Sequence, residues 1–239
     1  MDAQMIFRRY ELKYMLTWTQ RDALLDAMQG HMALDQYGHS TIRNIYYDTD
    51  TWQMVRHSIE KPVYKEKLRV RAYSQAGPES PVFVELKKKY ESVVYKRRLI
   101  LPKDAAMDAL LTGEPLPVKG QIASEIDYFR GYYKTLRPAV LLTYEREAYT
   151  PIDGVDFRLT LDENILYRTK DIDLGAKVGG EALLEDDQIL MELKTPGGIP
   201  MWMTRFLSEY QIRRTTFSKY GAAYARMFEA KYKGGLLYA

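Results

Sequence analysis

The sequence predicts an α+β fold: an eight-stranded antiparallel β-barrel with a tunnel through it and flanking helices. Three observations carry that prediction. Eight segments rich in β-branched and aromatic residues alternate polar with apolar side chains, at 6–14, 41–48, 64–73, 81–90, 92–101, 138–149, 155–162 and 187–194. Five stretches place apolar residues at helical spacing, at 18–30, 103–112, 118–135, 200–210 and 216–231. The polar faces of the strands are dense in Lys and Arg interleaved with Glu and Asp.

Side-chain parity justifies the elements in turn, because successive residues of a strand point to opposite faces. In the first strand Arg9, Glu11 and Lys13 oppose Tyr10, Leu12 and Tyr14. Thr17 or Thr19 caps the helix that follows. In 64–73, Lys67, Arg69, Arg71 and Tyr73 oppose Leu68, Val70 and Ala72, and after the loop AGPESP (76–81), Phe83, Glu85 and Lys87 oppose Val82, Val84 and Leu86. Lys96 and Arg98 oppose Tyr95, Leu99 and Leu101, with Arg97 an exception on the apolar face. Beyond the loop GEPLP (113–117), Ile122, Ile126 and Phe129 give 118–135 its helical stripe. Arg158, Thr160 and Asp162 oppose Phe157, Leu159 and Leu161, and Glu192 with Lys194 opposes Met191 and Leu193. No repeat or Gly/Ser linker interrupts the series, which predicts one domain over 1–239. Closely spaced strands with turn-like breaks favour antiparallel pairing, and closure removes exposed edges.

Composition excludes several function classes. The chain has 239 residues, 46% apolar and 28% charged, the balance of a folded globular protein. A net charge of +3 is far from that of a nonspecific nucleic-acid binder, and no sequence-specific nucleic-acid partner is expected. Without cysteine there is no disulfide, thiolate catalysis or Cys-ligated zinc, so a metal would be held by oxygen or imidazole. The amino terminus lacks the apolar run of a signal peptide and no later segment approaches a membrane span, which predicts a cytoplasmic protein. His31, His39 and His57 fall near a helix end or loops, and the Gly-Gly pairs at 179–180 and 197–198 lack the flanks of a phosphate-binding loop.

Amphipathic strands could turn their charge to water and their apolar face to an ordinary core. A solvated face tolerates Ser, Thr, Asn and Gln, whereas these faces repeat Arg and Lys between acids. An inverted barrel, apolar side outward under helices and charged side inward, accounts for that repetition, and so cationic a lumen calls for an anion.

The segments YELKY (10–14), IYYDT (45–49), KLRVR (67–71), VELKKK (84–89), YEREAY (144–149), FRLTLD (157–162), MELKTPG (191–197) and FSKYGAAY (217–224) together resemble the VTC domain, the polyphosphate polymerase domain of the vacuolar transporter chaperone family. That family lies within the CYTH-like triphosphate tunnel metalloenzymes. The resemblance implies Arg69, Arg71, Lys87, Arg146 and Lys194 as catalytic cations and Lys13, Arg98, Arg158 and Lys219 as phosphate ligands. Glu192 is implied as the leading ligand of Mn2+ or Mg2+, with Glu11, Glu85 and Asp162 completing the acidic group. Arg9 stands where the superfamily often has an acid. Ser218 and Lys219 open the last helix, where free backbone N–H groups add an anion site or Ser218 serves as an ordinary cap.

The expected activity is transfer of the γ-phosphoryl group of ATP to a growing polyphosphate, the product threading past Lys13, Arg98 and Arg158 if the lumen is continuous, with a separate membrane protein as a further partner. The alternatives are hydrolysis of a triphosphate or polyphosphate in the same tunnel, and a non-catalytic polyphosphate or nucleotide sensor.

Overall fold

The computed structural model describes residues 10–91 and 93–235, with side chains through 228. Its frame is one antiparallel sheet, formed because the apolar faces of the strands are buried beneath helices. In chain order the elements are β1 (Tyr10–Thr17), α1 (Trp18–Ala27), β2 (Met32–Asp48), α2 (Gln53–Ile59), β3 (Tyr64–Ala72), β4 (Pro81–Tyr90), β5 (Val93–Pro102), α3 (Lys103–Thr112), α4 (Gln121–Tyr132), β6 (Arg137–Pro151), β7 (Arg158–Arg168), β8 (Glu181–Ala182), β9 (Gln188–Thr195), α5 (Met201–Glu209), β10 (Arg214–Thr215) and α6 (Lys219–Gly235).

The sheet corrects the expectation of a closed eight-stranded barrel. Among the described residues it has ten strands in the open order β10-β1-β9-β7-β6-β2-β3-β4-β5, with β8 attached to β7. It is nevertheless rolled. β1 and β4 lie six steps apart on that path, roughly 29 Å in a flat sheet at ~4.8 Å per step, yet Lys87 of β4 reaches Glu11 of β1 at 3.7 Å.

Local chemistry sets several boundaries. Thr17 is the cap of α1: its hydroxyl accepts from the Gln20 N–H and the Gln20 side chain accepts from its own N–H, a capping box. β2 starts nine residues before the predicted 41. The irregular stretch between Leu34 and His39, where Asp35 accepts from the N–H groups of Tyr37 and Gly38, hides the alternation in the sequence. The short helix α2 was not predicted. Its N-terminus is satisfied by Asp48, whose carboxylate accepts from the N–H groups of Met54 and Val55. The first strand was expected at 6–14; its start, with Arg9, lies outside the described residues.

Two apolar clusters occupy the outer face as parity predicts. Leu68, Val70, Val82, Val84 and Leu86 pack under α3 and α4, and Leu16, Leu159, Leu161, Met191 and Leu193 pack under α1 and α5. The third lies on the other face. Leu190 shares a parity with Glu192, Val140 and Leu142 with Arg146, and Ile42 with Asn44, and all four pack against Tyr220 and Ala223 of α6 and Val55 of α2. The concave face is thus divided. One end is charged; the other is apolar and covered by α6 and α2.

Candidate active site

The charged end of the concave face is built from alternate residues of β1, β3, β4, β5, β6, β7 and β9, joined by the first residue of α6. These side chains face inward, as the inverted arrangement requires: Glu85 is 1% exposed, Asp162 0% and Glu192 6%.

Two acidic centres organise the cations. Glu85 on β4 receives Arg69 from β3 through Nε and Nη2, both at 2.7 Å, Arg98 from β5 through Nε at 2.7 Å, and Lys96 from β5 at 2.7 Å. Burial raises its pKa, but Arg69, Arg71 and Lys96 outweigh that and hold the carboxyl far below its ordinary range. The second centre is the pair Asp162 and Glu192. Arg146 clasps Asp162 through Nε and Nη2 at 2.5 and 2.6 Å. Lys219 reaches Asp162 at 2.5 Å and Glu192 at 3.0 Å, while Lys13 meets Glu192 at 3.2 Å, Arg146 at 3.4 Å and Lys194 at 3.8 Å. Burial again opposes ionisation of Glu192, and Lys219, Lys13, Lys194 and Arg146 overcome it.

Between the centres runs a band of lysines. Lys67, Lys87 and Lys96 lie directly opposite one another across β3, β4 and β5, with Lys65 opposite Lys89 in the next inward row. Like charges in register repel. Lys67 has no carboxylate within ion-pair distance among the described residues, and burial, with Lys65 and Lys87 nearby, lowers its pKa to about 8 despite the opposing pull of Tyr46. Arg71 is 7% exposed, and its guanidinium donates to Asn44 Oδ1 at 2.7 Å and to the Tyr144 hydroxyl at 3.4 Å.

Most predicted site residues are gathered here: Lys13, Arg69, Arg71, Lys87, Arg98, Arg146, Lys194 and Lys219 with Glu11, Glu85, Asp162 and Glu192. Arg158 stands apart, half exposed and 3.5 Å from Asp35. The Ser218 hydroxyl accepts from the Gly221 N–H at 3.3 Å, the geometry of a helix cap. Sequence reasoning did not single out Lys67 and Lys96, although parity had put both on the charged faces. It also missed Asn44, Tyr46 and Tyr144, and Asp48, which takes the Tyr220 hydroxyl at 2.7 Å and so ties α6 to β2 and α2.

The sequence profile of the VTC domain matches residues 8–228. The chain belongs to the VTC domain family. No curated protein matches it. Among solved structures, a protein of Bacillus halodurans provisionally named an adenylate cyclase is 16% identical, with a TM-score of 0.56 over 90% of this chain and 96% of that one. A Hippeastrum protein named an adenylyl cyclase, described as having a dominant triphosphatase activity, is 18% identical, with a TM-score of 0.52 over 88% of this chain and 92% of that one. At such identities the likeness is one of fold: an antiparallel sheet with flanking helices.

The VTC domain's expected four-carboxylate metal group does not converge. Among the described residues no three His, Asp or Glu side chains meet at a point that could hold a metal. Glu85 is committed to three cations, and Asp162 to the Arg146 fork and Lys219. Glu11 and Glu192 remain, and they flank one ammonium: Lys13 lies 3.3 Å from Glu11 and 3.2 Å from Glu192. Burial raises the Glu11 pKa, but Lys87 and Lys13 bring it down to about 2 even with Glu192 beside it. Magnesium and manganese accept one or two carboxylates with phosphate oxygens and water as the other ligands, so this pair fits such an ion. No helix among the described residues is long and apolar enough to cross a membrane.

Proposed function

We propose that this VTC domain is a metal-dependent phosphotransferase that binds a triphosphate at the charged end of its concave face and moves the terminal phosphoryl group onto a polyphosphate chain. The observation that carries the reading is the lysine row Lys67, Lys87 and Lys96, in register beside Arg69, Glu85 and Arg98. The single carboxylate Glu85 serves both arginines and Lys96, Lys87 meets Glu11 only at 3.7 Å, and Lys67 meets none among the described residues, so the two rows together keep an excess of positive charge that a phosphate chain would neutralise.

The residues divide the work. Arg69 and Arg71 project from the same wall two positions apart and offer guanidinium N–H groups to successive phosphoryl groups. Lys67, Lys87 and Lys194 stabilise charge on the oxygens of the group being transferred. Lys219 and Arg146 hold the carboxylates of Asp162 and Glu192 in place. A divalent cation held by Glu11 and Glu192 would neutralise phosphate oxygens. A phosphate nucleophile is already anionic, so no general base is needed.

Hydrolysis is the second reading, and a specific observation favours it. Past Lys67, which lies 5.9 Å from the ring of Tyr220 where that ring stacks on Tyr46, the concave face is apolar and covered by α6, so a long product is expected to leave by the end at which the triphosphate enters. The fold neighbour described as a triphosphatase points the same way. Incubation with labelled ATP, manganese and a short polyphosphate primer separates the readings. Transfer gives ADP and lengthened chains with little orthophosphate at early times. Stoichiometric orthophosphate with an unchanged primer would establish hydrolysis, and no turnover with either metal would leave a binding protein.

A further inference from the structure

On the outer face of the sheet, away from the lysine row, two arginines meet without an acid between them. Arg43 of β2 is 4% exposed and lies directly opposite Thr143 of β6. Thr143 in turn faces Leu166 of β7, two positions before Arg168 on the same side of the strand. The two guanidinium groups rest on consecutive residues of the segment that follows β7: Arg43 Nη1 donates to the Ala176 carbonyl at 2.5 Å and Arg168 Nη1 to the Lys177 carbonyl at 3.2 Å. Arg43 Nε, Arg168 Nε and Nη2, and the Thr143 hydroxyl are all buried without a hydrogen-bond partner.

Unpaired donors of this kind are costly, and a pair of neighbouring cations compounds the cost. Burial and the neighbouring Arg168 lower the pKa of Arg43. The nearest acids are engaged elsewhere: Glu145 accepts from the Thr41 hydroxyl at 2.9 Å, and Asp173 accepts from Lys103 at 3.2 Å and from the Gly175 N–H at 3.0 Å. Neither forms an ion pair with Arg43 or Arg168. The covering segment is anchored at its start. Leu174 is buried in the core beneath α3 and α4, its carbonyl accepts from the Ala76 N–H at 3.3 Å, and the Gly175 backbone packs so closely on Ala76 that a Cβ there would stand 2.6 Å from the Ala76 carbonyl oxygen.

We infer that Arg43, Arg168 and Thr143 form a second anion site, outside the concave face, for a small tetrahedral oxyanion of the phosphate class. Four donors from three strands match the acceptor-only surface of such an ion. An anion seated there would bind β2, β6 and β7 to the 169–177 segment, so its occupancy would be read as rigidity of the outer wall rather than as turnover.

The test is a calorimetric titration of the full chain with inorganic phosphate in EDTA, with tripolyphosphate saturating the concave face. One further phosphate site per chain is expected. Arg43→Met and Arg168→Met should each weaken it at least ~10-fold, the scale of one charge-assisted hydrogen bond, while tripolyphosphate affinity, measured separately, stays at the wild-type value. Sulfate should displace the phosphate and acetate should not. If Arg43→Met does not fold, Arg168→Lys, which keeps the charge and loses the fork, should still weaken binding. Absence of a further site, or undiminished phosphate binding in the Arg168 variants, would overturn the inference and assign the donors to water.

Discussion

The two acidic centres of the concave face look alike by burial but differ in how their partners are shared. Arg69, Lys96 and Arg98 have Glu85 as their one carboxylate among the described residues. Three of the four cations around Glu192 have another: Lys219 and Arg146 also hold Asp162, and Lys13 also holds Glu11, while Lys194, at 3.8 Å, has Glu192 alone among the described residues. Removing the charge of Glu85 would strand three cations, whereas removing that of Glu192 would strand none of these three. A carboxylate whose partners have alternatives can change them for a metal and a phosphate; a carboxylate that alone neutralises three strands' cations cannot do so without cost. The difference predicts a structural role for Glu85 and a chemical one for Glu192.

The largest expected effect tests the second half of that contrast. Glu192→Gln keeps the side chain's size and removes its charge, so turnover of ATP with manganese should fall at least ~100-fold, the scale of removing one electrostatic stabiliser from a transition state. The thermal midpoint should move little. An unchanged rate at saturating manganese would remove Glu192 from the metal site.

Glu85→Gln should do the reverse. Breaking a buried ion pair costs ~3–5 kcal/mol, and a loss of about 2–3 kcal/mol is expected here, because Lys96 and Arg98 are 40% and 34% exposed and water screens them. Tripolyphosphate should restore the midpoint of this variant by more than it raises the wild type's, because the anion takes over the lost neutralisation. If Glu85→Gln instead loses its activity without losing stability, the two centres are functionally equivalent and the contrast fails.

A smaller effect is expected where no acid is involved. Lys67→Met removes a cation without a carboxylate partner, so triphosphate affinity should weaken by ~1.5 kcal/mol or more, one charge-assisted hydrogen bond. The stability of the ligand-free chain should hold or rise. Wild-type affinity in this variant would show that the bound phosphate does not reach the lysine row.

The legibility of this site follows the range of the interactions that build it. Which face Lys67, Arg69 and Arg71 share is a local matter of period two, and the sequence shows it directly. So is the opposition of Glu192 and Lys194 to Met191 and Leu193. What Glu85 touches depends on the register of β4 with β3 and β5, which no local pattern contains. The bond between Asp48 and Tyr220 joins residues 172 positions apart, and with it the covering of the apolar end by α6 stayed hidden. Closure was misjudged for a related reason. Alternation identifies strands but does not set the curvature that would join the ends of a sheet, and the two-residue strands β8 and β10 are too short to leave a periodic signal. Lys219 was found through resemblance alone, since a lysine opening a helix has no local mark that distinguishes it from one at the surface.

The finest test of the contrast is the pH dependence of the two lysines whose pKa burial depresses most, Lys67 and Lys194. Burial lowers the pKa of Lys194 to about 8, with Glu192 only partly restoring it, and Lys67 sits at about 8 as well, both below the ordinary 10.5. Tyr46 also lies at about 8 rather than 10.0, because Arg69, Lys67 and Arg71 together outweigh its burial. Between about pH 8 and 10 the unfolded chain therefore holds more protons than the folded one, so the stability of the ligand-free protein should rise with pH across that window. Affinity for ATP should move the other way. Its γ-phosphate completes ionisation near pH ~6, so above pH 7.5 the changes are on the protein: loss of positive charge from Lys67 and Lys194, with Lys96 and Lys65 also shifted downward, and gain of negative charge on Tyr46. A fall of no more than about tenfold per pH unit for each proton is expected. Parallel melting curves and metal-free ATP titrations from pH 7.5 to 9.5 should therefore diverge, and Lys67→Met should flatten the affinity profile, leaving the share due to Lys194. Affinity that stays constant through pH 9 in the wild type would mean that the triphosphate touches neither lysine, and would confine binding to the arginines around Glu85.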